Sequence, residues 1–151
     1  FLGGYQAQAS RYGQLAYASG MFNTPGDAQT SMYVLRNTVL GANTNELFLD
    51  GSSQRLTFPN NGTVVFDILI VGHNGFGVSA GYQIRGVAEN LNGTFSLVGA
   101  VSKTILGEDD ASWDANVTAD TVNKAVKITA TGSGLTASYW VASVRTVEVV
   151  Y

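Results

Sequence analysis

The sequence predicts an all-β fold: a single antiparallel β-sandwich, jelly-roll-like, of about ten strands. Three observations predict it. Val is the most frequent large apolar residue, and β-branched and aromatic residues fill the runs between turns. Those runs alternate apolar and polar positions with the period of a strand. No stretch of 11 or more residues keeps apolar residues at helical spacing without Gly or a β-branched interruption.

In chain order, residues 1–14 are rich in Gly, Gln and Ser and read as an extended N-terminal arm. Residues 15–151 then form the sandwich domain. Its expected strands are Leu15–Phe22, Gln29–Thr38, Glu46–Leu49, Arg55–Phe58 and Thr63–Gly72. Ala80–Glu89, Phe95–Leu106, Trp113–Ala119, Ala125–Thr131 and Ser138–Val150 complete the set. Asn61-Gly62, Asn74-Gly75 and Asn92-Gly93 supply hairpin turns between them.

Alternation assigns faces. Trp113, Ala115, Val117 and Ala119 point one way, and Val126, Ile128 and Ala130 alternate with Lys127, Thr129 and Thr131. The last strand is different. Trp140, Ala142 and Val144 occupy one face, yet Val141, Val147 and Val149 share the other with Arg145. A strand apolar on both faces is buried on both, inside the fold or under a neighbouring subunit.

Composition says the same. Charged residues are 13% of the chain, about half the ~25% usual for soluble domains, while apolar residues reach 45%. The polar remainder is mostly uncharged, with Ser, Thr, Asn and Gln making 43 of 151 residues. Such a chain is expected to cover part of its surface with copies of itself or a partner. The absence of Cys excludes disulfides and thiolate chemistry, and a single His excludes a multi-His metal centre. A net charge of −3 offers no basic patch for nucleic acid. The longest apolar run, Val64 to Gly72, is broken by Asp67 and is far short of the ~20 residues of a membrane helix, so no membrane insertion is expected. The chain starts at Phe1 rather than Met, which fits a processed chain or a piece of a longer one.

Few residues carry chemistry. Gly77-Val78-Ser79-Ala80-Gly81 fits the nucleophile-elbow pattern, but residues 82–87 alternate like a strand and the only His, His73, precedes the Ser. His73 is expected in a loop. Glu108, Asp109 and Asp110, with Asp114 beyond, offer oxygens for a cation but lack the spacing of a calcium loop, and a glycosidase pair drawn from Asp109, Asp110 and Asp114 has nothing in the sequence to fix its separation. A solvated loop is the expected reading. Tyr139, Trp140, Tyr12 and Tyr17 are candidates for an aromatic stacking platform, with core or interface packing as the favoured alternative. No cofactor or metal is expected. The exposed loops at His73, Asn74 and Phe76 and at Glu108, Asp109 and Asp110 are the candidate binding residues.

The linear pattern carries a resemblance. Its blocks are Gly26-Asp27-Ala28-Gln29-Thr30-Ser31, Tyr33-Val34-Leu35-Arg36-Asn37 and Glu46-Leu47-Phe48-Leu49-Asp50-Gly51-Ser52-Ser53. Leu56-Thr57-Phe58-Pro59, Val65-Phe66-Asp67-Ile68-Leu69-Ile70-Val71, Ser79-Ala80-Gly81-Tyr82 and Trp140-Val141-Ala142 continue it. Over about residues 18 to 150 this resembles a domain that recurs in tailed-bacteriophage virion proteins. The resemblance implies no catalytic residues. It implies a non-enzymatic protein on the virion exterior, assembled as a homotrimer and contacting other virion proteins and host-surface glycan. A tail-fibre or receptor-binding tip is the expected station. A capsid decoration protein is the alternative, and a glycan depolymerase using the carboxylates of residues 108–114, or a Ser79 hydrolase, is the second.

Overall fold

The alternation in the C-terminal strand decides how the chain packs. The computed structural model describes Phe1–Tyr151 and contains twelve strands and no helix. They are β1 (Leu2–Tyr5), β2 (Leu15–Ser19), β3 (Ala28–Leu40), β4 (Thr44–Glu46), β5 (Leu56–Thr57) and β6 (Gly62–His73). Next come β7 (Ser79–Leu91), β8 (Thr94–Leu97), β9 (Ser102–Glu108), β10 (Asp114–Asp120), β11 (Ala125–Thr131) and β12 (Ala137–Val150). The all-β expectation holds.

An eight-stranded sheet runs β1-β2-β3-β12-β6-β7-β8, with β9 also on β7. A four-stranded sheet runs β10-β11-β4, with β5 also on β11. β12 lies between β3 and β6 and pairs with both along nearly its whole length. Trp140, Ala142 and Val144 therefore point inward together with Tyr33 and Leu35 of β3 and Phe66, Ile68 and Ile70 of β6. The small sheet answers with Ala115, Val117, Val126, Ile128 and Ala130, and one continuous core joins the two in a sandwich-like arrangement. Trp140 is its largest fully buried side chain, 5.1 Å from the Trp113 ring and 6.3 Å from that of Tyr82.

The two sides between the sheets are bridged. Arg36 N donates to Phe48 O at 2.9 Å and Phe48 N returns to Arg36 O at 3.2 Å, so β3 leads into the small sheet's side. On the other side Lys103 of β9 reaches the open edge of β10, donating to Ala115 O at 3.0 Å and pairing with Asp114. A lysine on an edge backbone also blocks pairing with a further strand.

Four expectations need correction. The large sheet is mixed rather than purely antiparallel, because β1 runs parallel to β2, Leu2 to Ala16 through Tyr5 to Ser19. That pairing is made by main chain, and Gly4 is required for it: a Cβ there would sit 2.0 Å from Ala18 O. The expected strand Phe95–Leu106 is two strands, because Val98-Gly99-Ala100 turns with Gly99 at φ +77°. In the expected strand Glu46–Leu49 only Glu46 belongs to a ladder, β4, and Phe48 makes the single bridge to Arg36. Twelve strands thus replace about ten.

Residues 1–14, expected as an arm, lie against the chain's own core end. The Arg11 side chain is only 10% exposed, and its guanidinium stands 4.8 Å from the Phe58 ring centre and 3.4 Å from the buried Glu148 carboxylate. Arg11 Nη1 also donates to Tyr33 Oη at 2.8 Å, and Tyr33 Oη donates to Glu148 Oε1 at 3.1 Å. Burial, opposed by Arg11 and aided by Glu148, pushes the Tyr33 phenol up to about 12. Removing one member of such a pair strands a buried charge. Arg11→Met is expected to cost about 3–5 kcal/mol in urea unfolding, and adding Glu148→Gln is expected to recover most of it. Equal stability of the wild type and Arg11→Met would show that the pair does not hold the segment.

Candidate functional site

The hairpin between β6 and β7 is built around one side chain. Asn74 Oδ1 accepts from the main-chain N–H of Phe76 at 2.9 Å and of Val78 at 3.1 Å, and Asn74 N donates to Val78 O at 3.1 Å. This Asx geometry organises the loop and leaves Phe76 at its tip, 79% exposed. His73 is the last residue of β6 and Ser79 the first of β7, paired directly across the ladder. Tyr139 of β12 is His73's partner on the other side and is also exposed.

The second group of candidates meets the first. β9 pairs with β7 so that Glu108 lies opposite Ala80, which brings Asp109 beside Ser79. Asp109 holds that residue by both main-chain groups: Ser79 N donates to Asp109 Oδ2 at 2.9 Å, and Asp109 N donates to Ser79 O at 3.0 Å. The six candidate residues therefore gather at one end of the large sheet, although 30 positions separate Ser79 from Asp109. Glu108 differs from expectation in ending strand β9 rather than lying in a loop.

The carboxylates do not converge. Glu108 Oε2 accepts from Tyr82 Oη at 2.9 Å. Burial, together with that hydrogen bond and charge, holds the Tyr82 phenol well above its ordinary range. Asp110 accepts from Ser112 Oγ at 2.6 Å, Ser133 Oγ at 2.5 Å and Ser112 N at 2.9 Å, and these bonds lower its pKa. Ser133 Oγ in turn accepts from Trp113 Nε1 at 2.9 Å, so Asp110 ties this loop to a core tryptophan. Asp114 binds Lys103 and Asn116; burial opposes its ionisation, and these partners lower its pKa nonetheless. Each acid serves a different partner, and no group of three or more His or acidic side chains is placed to hold a metal ion.

Ser79 Oγ and His73 Nδ1 lie 3.1 Å apart. The contact closes the hairpin, and it also places a base against a hydroxyl. Asp109 grips the serine main chain rather than the imidazole, so no carboxylate orients the ring as a hydrolytic triad requires. Ser79 stands at the start of a strand, not at a strand-to-helix elbow. Among the aromatic candidates, Trp140 is core, whereas Tyr139, Tyr12 and Tyr17 are exposed.

The largest feature lies elsewhere. The outward face of the eight-stranded sheet carries Met32 and Val34 on β3, Val141, Val147 and Val149 on β12, and Val65, Leu69 and Val71 on β6, all at least 42% exposed. The only carboxylate among these three strands' outward residues is Asp67, flanked in register by Arg145 of β12 and Arg85 of β7. The alternation in β12 announced one column of this face, but its width depends on which strands become neighbours, and the sequence does not display that.

No protein-family model matches the chain, and no curated protein matches it either.

Proposed function

We propose that this protein is a non-enzymatic structural and binding module that works as an assembly of its own copies. The observation that carries the reading is the outward face of the large sheet, apolar over three adjacent strands. Single exposed hydrophobes are ordinary; a contiguous set of this extent on a chain with 13% charge marks an interaction surface. The virion exterior is the setting implied by the resemblance, with a tail fibre or receptor-binding tip as the station and a capsid decoration protein as the alternative. The homotrimer and the jelly-roll-like description belong to that resemblance. In such a setting the hairpin carrying His73, Asn74 and Phe76, stiffened by Asn74, presents an aromatic side chain and uncharged polar groups suited to weak, multivalent contact with host glycan.

Sedimentation equilibrium at micromolar concentration is expected to return a multiple of 15.9 kDa. A particle of 15.9 kDa at every concentration would end the assembly reading. Phe76→Ala is expected to reduce binding to host cells while leaving the assembly mass unchanged; unchanged binding would remove the hairpin from the contact.

One observation favours a second reading: the 3.1 Å contact between Ser79 Oγ and His73 Nδ1 supports a Ser79 hydrolase. Against a panel of activated esters the wild type is expected to show no turnover above the Ser79→Ala variant. Turnover that disappears in Ser79→Ala and His73→Ala, with the β-sheet circular dichroism retained, would establish the hydrolase instead.

A further inference from the structure

We infer that the outward face of the large sheet is an isologous interface, in which a second copy of this chain packs face to face about a two-fold axis running between β12 and β6, parallel to the strands. This rests on the self-association proposed above, with two copies on this face in place of the three that the resemblance implies, and adds the partner's orientation. The argument begins with register. Arg145 and Asp67 are directly opposed on neighbouring strands, one on each side of the proposed axis. Rotation about that axis lays β12 of one copy over β6 of the other, running in opposite directions with each row kept at its own height along the strands. Arg145 then stands over the partner's Asp67, and Asp67 under the partner's Arg145, so the contact is made twice.

The flanking rows obey the same operation. Val147 is paired with Val65 and Val141 with Val71, so the exchange places Val on Val at each row. Ser143 is opposed to Leu69, a small residue facing a large one. Other axes fail on charge. An in-plane axis perpendicular to the strands through the same row puts Arg145 over Arg145 and Asp67 over Asp67, and like charges facing each other in a drying interface repel.

Within one chain Asp67 has no ion-pair partner. Asp67 accepts from Gln83 Nε2 at 3.0 Å, and neither Arg145 nor Arg85 makes an ion pair with it. Area supports the same occupant. Four strands, β3, β12, β6 and β7, at about 4.8 Å spacing and about 12 residues of about 3.3 Å rise cover about 760 Å² per copy. Doubled, that is about 1,500 Å², within the range of stable specific interfaces. Two sheets pack in this way at about 10 Å separation with their strands about 30° apart, which keeps the central rows in register.

Charge reversal tests the axis. Asp67→Arg alone places Arg over Arg, and Arg145→Asp alone places Asp over Asp. Each is expected to raise the dimer dissociation constant about thirtyfold or more in sedimentation equilibrium. Mixing the two variants is expected to restore a particle of twice the chain mass, since each then meets its complement, and the double variant is expected to dimerise alone. Circular dichroism and thermal melting verify that each variant is folded. If either reversal unfolds the chain, Leu69→Lys, which leaves the charge pair intact and adds a cation to the apolar rows, is expected to weaken the dimer. A monomeric wild type would overturn this inference together with the assembly reading. A wild-type assembly indifferent to every variant, a mixture that does not recombine, or a three-fold particle would overturn the two-fold axis alone.

Discussion

The structure depends on a period of two imposed on a long central strand. β12 is held by ladders on both sides, from Ala137 to Val149 against β3 and from Tyr139 to Val150 against β6. A slip of one residue would turn Trp140, Ala142 and Val144 out of the core and Tyr139, Val141 and Ser143 into it. Register is therefore set by which set the small sheet covers. Trp140 decides it, because its ring stacks with Tyr82, packs at a tilt against Trp113, and its Nε1 donates to Ser138 Oγ at 2.9 Å. The consequence is on the far side. Val141, Val147 and Val149 are committed outward, and the chain has only one small sheet with which to cover a large one.

Where the small sheet stops, polar groups take over the core. β3 and β12 bury Ser31, Thr146 and Glu148 on the inward face; Gln14 and Gln29 donate to the Ser31 hydroxyl, Arg11 to Glu148, and the Thr146 hydroxyl reaches Ser31 O. Thr146 Oγ1 donates to Glu148 Oε1 at 2.6 Å, the same oxygen that Tyr33 uses. A carboxylate at that depth is tolerated only with such partners. The N-terminal residues thus act as a polar lid on one end of an apolar core. Gln8 and Gln29 add a reciprocal pair, Gln8 N to Gln29 Oε1 at 3.0 Å and Gln29 Nε2 to Gln8 O at 3.1 Å.

How much of this the sequence displays depends on the material of each element. Strands whose side chains alternate, such as β10, β11 and β12, were legible with nearly their observed bounds. Those held by main-chain bonds were not. β1 reads Leu-Gly-Gly-Tyr, which offers no apolar stripe, and its parallel partner is set by the path of residues 6–14 over the core. The break at Gly99 was hidden because Val98 and Ala100 continue an apolar run through it. At the candidate site, the residue types in two loops were visible. Their meeting was not, since it needs β9 to pair with β7, and β9 is exposed on both faces and carries no alternation to announce a partner.

The acids at 108–114 show why composition cannot assign chemistry. Their proximity in sequence invites a paired-carboxylate or cation site, yet every one is consumed by a structural bond: Tyr82, the Ser79 main chain, Ser112 with Ser133, and Lys103. Lowered carboxylate pKa values at Asp110 and Asp114 fit that use, because a donor that stabilises the charge makes the group a poor general acid near neutrality. The one outward carboxylate in the apolar middle of the large sheet, Asp67, is in the opposite position. It has a neutral amide for a partner and two arginines in register beside it that make no ion pair with it. In the self-association proposed for this face, the three charges in one row select the orientation, since apolar rows supply adhesion in any orientation and only the charges distinguish one.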